Sequence, residues 1–360
     1  LGGGDYAYYD GDKRFGTLDH TLDAWFNQMQ PVTTQAPFMP TYGNHEVGTG
    51  LDENFDSWRA RFATPTGLAN GKNYSFDIGD AHFVNIYAQF NQTGVGQSIL
   101  DWISTDVRDA QARGQRWMIA YFHTSPFSDG SNHPSNITLR GQFGPLFEEL
   151  GIQLALTSHD QSYERTYPLI DVPDSNTPTS TSLTCYDLSD GVSWVKTGPG
   201  GKWSNINGHF ADWLTNPMPH WTAYRDNTLH HVLQVNVKAS GEIDVQAIGM
   251  DGNGATSVVD QFRITANGDG CGSPPTPTLT LAPLTTSLSA IANGAAVSGG
   301  LQLTASSGTP TVSVSDDAAW LTVTPGSATA PQALTLSATP AGLAPGSYTA
   351  TVTVSANGYA

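Results

Sequence analysis

Four short polar clusters hold the residue types that bind metal ions: Gly4-Asp-Tyr-Ala-Tyr8, Gly43-Asn-His-Glu46, Tyr121-Phe-His123 and Ser158-His-Asp-Gln161. Asp5, Asn44, His123 and His159 together offer a carboxylate, an amide oxygen and two imidazoles. That set of hard-to-borderline donors suits zinc, manganese or ferrous iron. One histidine at the end of an apolar strand is ordinarily structural; the weight here lies in four clusters, each where a strand should end. In α/β sheets the carboxyl ends of strands are where ligands bind. The two cysteines, Cys185 and Cys271, stand in no Cys-x-x-Cys spacing. This argues against a thiolate zinc site and leaves one disulfide open to them.

The elements that must position these clusters can be read from hydrophobic periodicity. Leu18, Leu22, Trp25, Phe26 and Met29 repeat at helical spacing, and Pro31 is expected to stop the run. A second helix is expected over 97–112, followed by the apolar strand 117–122. A third is expected over 138–150, capped by Gly151 and followed by the strand 152–156. Helix followed by short buried strand, twice, predicts βαβ crossovers and a layered α/β domain. Strands are also expected within 72–88 and over 192–197, 232–237 and 243–248, which makes the sheet mixed.

The composition changes sharply near 266–278, a Gly/Pro/Ser/Thr stretch that reads as a linker. Beyond it the chain has no histidine and alternates with period two, as in Tyr348-Thr-Ala-Thr-Val-Thr-Val-Ser355, with turns at Pro-Gly pairs. That is a β-sandwich pattern. The whole chain of 360 residues carries 15 Lys+Arg against 32 Asp+Glu, a formal charge of −17, which speaks against a nucleic-acid-binding surface. It contains no apolar run of about 18 residues, so no membrane-spanning helix is expected. Low lysine content and the sequons at Asn73, Asn91 and Asn136 lean towards a secreted, extracellular or cell-surface glycoprotein.

With these motifs in hand, the chain resembles the purple acid phosphatases of the binuclear, calcineurin-like metallophosphoesterase superfamily. The resemblance rests on Gly-Asp-x-x-Tyr at Gly4 to Tyr8, Gly-Asn-His-Glu at Gly43 to Glu46, the strand-borne His123, and His-Asp-x-x-Tyr-Glu-Arg at His159 to Arg165. Supporting matches lie at Asn73 to Phe83, Gly198 to Gly201 and Asp251 to Phe262, so about residues 1–265 are covered. The resemblance implies a binuclear centre of iron with zinc, manganese or a second iron. Asp5 would bridge the two ions, Tyr8 would bind the ferric one, and Asn44, His123 and His159 would complete the divalent site. Two cations about 3.5 Å apart bridge a hydroxide, lower its pKa and clamp phosphoryl oxygens for in-line attack. His45 would then protonate the leaving alkoxide, and His133 would help to hold the phosphate.

Two departures from the family pattern bear on the ferric site. Where the family reads Gly-His-x-His, this chain reads Ser158-His-Asp-Gln161, which puts the weaker ligand Gln161 in place of a histidine. The family's earlier Asp-x-Gly motif is absent, which gives an expectation of an N-terminally incomplete domain. The tail resembles bacterial immunoglobulin-like modules of the BACON type through Trp320 to Gly326 and Ala341 to Tyr348. The expectations are therefore an α/β metallophosphoesterase sandwich with mixed sheets at 1–265, a linker at 266–278, and a small all-β Ig-like sandwich at 279–360, in whose related modules a further strand follows. The expected function is hydrolysis of phosphate monoesters; the alternative is a degenerate surface or filament-forming relative. An unpaired edge on the β-module would allow self-association.

Overall fold

The computed structural model describes residues 1–9, 13–47, 55–65, 67–68, 71–88, 93–201, 210–266, 279–305 and 310–356. The chain divides into two compact units, Leu1–Cys271 and Gly272–Ala360. Among the described residues the first unit holds the helices α1 (Leu18–Thr33), α2 (Asn44–Val47), α3 (Asp56–Arg59), α4 (Gln97–Ala112) and α5 (Ile137–Glu149). Its strands are β1 (Tyr74–Ile78), β2 (Ala81–Asn85), β3 (Trp117–Tyr121), β4 (Leu154–Thr157), β5 (Tyr163–Ile170), β6 (Thr177–Pro178), β7 (Cys185–Asp187), β8 (Val192–Thr197), β9 (Thr222–Asp226), β10 (His230–Lys238), β11 (Glu242–Met250) and β12 (Thr256–Thr265).

One sheet runs β1-β2-β3-β4-β8-β5-β6, with β9 also on β5, and a second runs β10-β11-β12-β7. The strands β2, β3, β4 and β8 are parallel neighbours, while β1 and β5 join antiparallel. Helices α4 and α5 supply the crossovers for the β2·β3 and β3·β4 pairs, and the segment that holds β5, β6 and β7 supplies that for β4·β8. Helix α4 turns Ile103, Val107 and Ala110 inward at spacings of four and three, which makes the single apolar stripe of a sheet-covering helix. Helix α5 starts where the Asn136 side chain accepts the N–H of Leu139 at 3.0 Å.

Period-two alternation then divides the core. In β3 and the residue after it, Met118, Ala120 and Phe122 join the cluster under α4 and α5. Trp117, Ile119 and Tyr121 face the other way, into a cluster shared with Ile243, Val245, Phe262 and Ile264 of the second sheet. The first sheet is thus buried on both faces, which is why its central strands read as unbroken apolar runs. Each large apolar side chain buried this way contributes about 1.5–3 kcal/mol. A third cluster of Leu22, Tyr42, Phe55 and Trp58 seats α1 and α3.

The second unit contains β13 (Leu279–Ala282), β14 (Val297–Ala305), β15 (Thr311–Asp316), β16 (Leu321–Thr324), β17 (Ser327–Thr329), β18 (Gln332–Ala338) and β19 (Val352–Ser355). These form sheets of order β13-β14-β18-β16 and β17-β15-β19 around one apolar cluster that includes Leu303, Val312, Leu334 and Leu336.

Several expectations are corrected. Helix α1 does not stop at Pro31 but continues to Thr33; the missing N–H and the crowding of the carbonyl four residues back fall in the last turn, and the helix ends two residues later. The tail strand expected from Tyr348 begins only at Val352. The sequons at Asn73 and Asn136 are fully buried, with Asn73 Oδ1 accepting the N–H of Tyr87 and Asn136 capping α5. Neither side chain can carry a glycan in the folded protein. Asn91, Cys271, His209 and the stretch 267–278 of the expected linker lie outside the described residues.

Candidate metal centre

Two of the four polar clusters follow sheet strands, His123 after β3 and His159 after β4. The other two are held by a single parallel bridge between Gly2 and Pro40, with Gly2 N–H donating to Met39 O and Thr41 N–H to Gly2 O. This bridge brings Asp5 beside α2, which begins at Asn44. Asp5 and Tyr8 adopt left-handed backbone, φ 60° and 44°, and so does His159 at φ 70°. For non-glycine residues that conformation is uncommon and marks enforced local geometry. Gly43 has no substitute here: a Cβ would stand 2.2 Å from Asp5 Oδ1 and 2.8 Å from the His123 ring.

Glu46 closes this corner. Its Oε2 accepts the N–H groups of Asp5 and Gly43, and its Oε1 that of Tyr6, each at 2.7 Å. Burial, and then the charge of Asp5, push the Glu46 carboxyl up to about 7 against the pull of those three donors. The glutamate was visible in its motif, but two of its three partners are backbone groups some forty residues away, which no local signal announces.

The four expected ligands meet at one point. His123 Nδ1 lies 2.7 Å from Gly3 O. A carbonyl only accepts, so Nδ1 carries the proton and, in the neutral ring, Nε2 presents a lone pair. That nitrogen is 3.1 Å from Asp5 Oδ2, 3.2 Å from Asn44 Oδ1 and 3.0 Å from His159 Nδ1. Four electron-pair donors therefore converge, and the ring that joins them is oriented by a backbone carbonyl, as metal-binding imidazoles are. Asp5, His123 and His159 are also the group of acidic and imidazole side chains, among the described residues, whose ligand atoms all lie within 4.8 Å of one another.

Electrostatics agree with a focus for positive charge. Burial alone would raise the Asp5 carboxyl, but His123 and His45 hold it well below the usual carboxylate range. Burial opposes a charge on His123, yet Asp5 outweighs it and raises that ring's affinity for a proton. Burial, followed by the neighbouring His123 and His133 rings, presses His159 down to about 2, so His159 stays neutral. The cluster accommodates one positive charge at its centre. A divalent cation fits this donor set of carboxylate, amide oxygen and two imidazoles.

The remaining candidates flank this point. His45 donates its backbone N–H to Asp5 Oδ1 at 2.9 Å, and its ring packs on Tyr8, tilted by 33° with 3.9 Å between centroids. The His133 ring stacks on His159 at 3.8 Å. Gln161 is buried, with its Oε1 accepting from Asn132 Nδ2 at 3.2 Å. At this position the chain offers a neutral carbonyl engaged by Asn132, where the family pattern has an imidazole. Other histidines go elsewhere. His82 lies between Asp77 and Asp106, His220 meets Ser175 O, and His230 meets Pro199 O.

No family model matches this chain. Among curated proteins it is similar to purple acid phosphatase 23 of Arabidopsis thaliana, 27% identical over 206 residues that make up 54% of this chain and 41% of that protein. It is similar to acid phosphatase type 7 of Homo sapiens, 31% identical over 186 residues, 46% of this chain and 40% of the other. Among solved structures it is similar to a purple acid phosphatase from yellow lupin (Lupinus luteus) seeds, with a TM-score of 0.60 at 21% identity over 80% of this chain and 49% of that one. The fold is that of a metallophosphoesterase. The chain spans two fifths to about half the length of these relatives.

Proposed function

We propose that the chain is a metal-dependent phosphomonoesterase of the acid phosphatase kind. The observation that carries this reading is the meeting of Asp5 Oδ2, Asn44 Oδ1, His159 Nδ1 and His123 Nε2, within 3.0–3.2 Å of the last atom, with the His123 proton committed to Gly3 O. These four residues would hold a divalent ion. When bound, such an ion neutralises phosphoryl charge and acidifies water at the reacting phosphorus.

The chain's own groups do the rest. His45, half-buried and packed on Tyr8, delivers a proton to the leaving alkoxide. His133, half-buried against the outer face of His159, contributes a ring N–H to a phosphoryl oxygen. Asp5 accepts the His45 backbone N–H, so the acid and the ion-binding carboxylate move as one piece. Tyr8 and Asp5 would be the donors left for a second, ferric ion, and Gln161 makes that position the weaker. The acidic, lysine-poor composition supports an extracellular setting.

A second reading, a phosphatase fold without turnover, draws on one observation: position 161 offers a weak neutral amide, whose Oε1 accepts from Asn132 Nδ2, in place of an imidazole. A phosphatase assay of the zinc- or manganese-loaded protein with a chromogenic aryl phosphate separates the two. Turnover that EDTA abolishes, and that His45→Ala reduces by about 10²–10⁴-fold, is expected. A loaded protein that releases no phosphate would leave only the second reading.

A further inference from the structure

Behind the His159 turn lies a buried charge cluster, formed by Asp160 and Glu164 with Lys196, to which no role has been given above. Lys196 of β8, Asp160 and Glu164 of β5 are each at most 1% exposed. The Lys196 ammonium lies 2.8 Å from Ser128 Oγ, 3.0 Å from Asp160 Oδ2 and 3.2 Å from Glu164 Oε2. All three of its hydrogens are therefore used. A desolvated cluster of this kind is costly to assemble and strongly destabilised by removal of one partner, so it is rigid once formed.

Asp160 is the member that reaches the metal centre. It follows His159 directly and forms the tight turn in which His159 takes its left-handed backbone, with Asp160 N–H donating to Ser158 O at 2.9 Å. Its Oδ1 accepts the backbone N–H of His133 at 2.9 Å. Asp160 thus touches both rings' residues by different means: its backbone closes the turn that carries the His159 imidazole, and its carboxylate holds the backbone of His133, whose ring stacks on His159. Space around it is closed: a Cβ on Gly130 would lie 1.9 Å from Asp160 Oδ2. Glu164 differs. Its carboxylate binds Lys196, the N–H of Asp129 and the hydroxyl of Thr222, and it has no bond to either histidine.

We infer that Asp160, clamped by Lys196, is a positioning residue of the centre: it aims His159 Nδ1 at the ion and holds the His133 ring against His159. This rests on the metal-site reading above. Carboxylates that orient ligands from behind typically govern metal affinity by roughly 10–100-fold.

The test compares Asp160→Asn, Asp160→Ala and Glu164→Gln in the full chain, by zinc affinity and by histidine NMR of the metal-free protein. Both Asp160 variants should bind zinc roughly 10–100-fold more weakly. Asp160→Ala should also lose the ring-current shift on the His133 and His159 C–H protons, while Asp160→Asn, which keeps an oxygen for the His133 N–H, should retain most of it. Glu164→Gln should melt earlier yet keep zinc affinity and both resonances. Folded Asp160 variants with wild-type zinc affinity and unshifted resonances would overturn the positioning role. So would a Glu164→Gln variant that matches them in every readout, because the cluster would then be only structural. A wild-type protein that binds no zinc would overturn the metal-site reading instead, and the metal-free NMR comparison would still decide whether Asp160 holds the two rings.

Discussion

Removing the Glu46 carboxylate should weaken both the fold around Asp5 and the metal centre that Asp5 serves. Glu46→Ala strips the acceptor from three backbone N–H groups, those of Asp5, Tyr6 and Gly43, each now bonded at 2.7 Å. Hydrogen bonds to a charged acceptor contribute about 1.5–3 kcal/mol each. The Glu46 carboxyl is poised near neutral pH and the Asp5 and Tyr6 backbone is half-buried, so water recovers part of the loss. About 1 kcal/mol per bond, or about 3 kcal/mol in all, is the expected destabilisation. For a unit of this size that is a fall in Tm of roughly 6–12 °C, measured by calorimetry in EDTA. Because Asp5 and Asn44 are brought together by those bonds, zinc affinity from chelator competition should fall by roughly 10–100-fold. A variant with lowered Tm but unaltered zinc affinity would refute the reasoning that Glu46 sets the distance between the Asp5 and Asn44 loops.

Further expectations follow from other parts of the molecule. Gln161→His, which restores an imidazole, should raise iron content and produce a tyrosinate-to-iron absorption band that the wild type shows weakly or not at all; a full band in the unmodified protein would contradict the weak second site. His82 is held between Asp77 at 2.6 Å and Asp106 at 3.0 Å. Burial lowers its proton affinity, but the two carboxylates outweigh this and raise it above the ordinary value. Its stabilisation is therefore fully present below about pH 6.5 and lost as pH rises through the raised value. The stability gap between wild type and His82→Asn, from urea titrations in EDTA, should narrow between pH 6 and pH 9. Asp260→Ala leaves the Arg165 guanidinium, now paired at 2.6 and 2.8 Å between the two sheets, buried and unpaired. A loss of about 3–5 kcal/mol is expected, and a loss below about 1 kcal/mol would show that the pair is solvated.

The sequence made the residue types of the centre visible because a metal site restricts chemistry tightly, and because apolar runs such as 117–122 mark the strand ends beside His123. The mixed α/β layers were legible for a similar reason: α4 and α5 bury one stripe each, while β3 is apolar on both faces. What stayed hidden depends on contacts between distant parts of the chain. Glu46 acts on backbone donors some forty residues away, and Lys196 meets Asp160 across 36 residues. The turn carrying Asp5 belongs to no regular strand and hangs on the bridge between Gly2 and Pro40. Asn73 and Asn136 read as glycan acceptors because a triplet records nothing of burial, whereas in the fold one binds the Tyr87 N–H and the other caps a helix.

Asp5, Asn44, His123 and His159 are proposed to hold one divalent ion that phosphate-ester hydrolysis requires. The most direct test is a zinc titration by calorimetry, with elemental analysis, on the wild type and on His159→Ala, alongside an aryl phosphate assay of the same samples. Tight binding at this position in the wild type, with phosphate release, is expected, as is loss of both in His159→Ala, since three donors hold a divalent ion poorly. Full zinc content and turnover in His159→Ala would contradict this assignment.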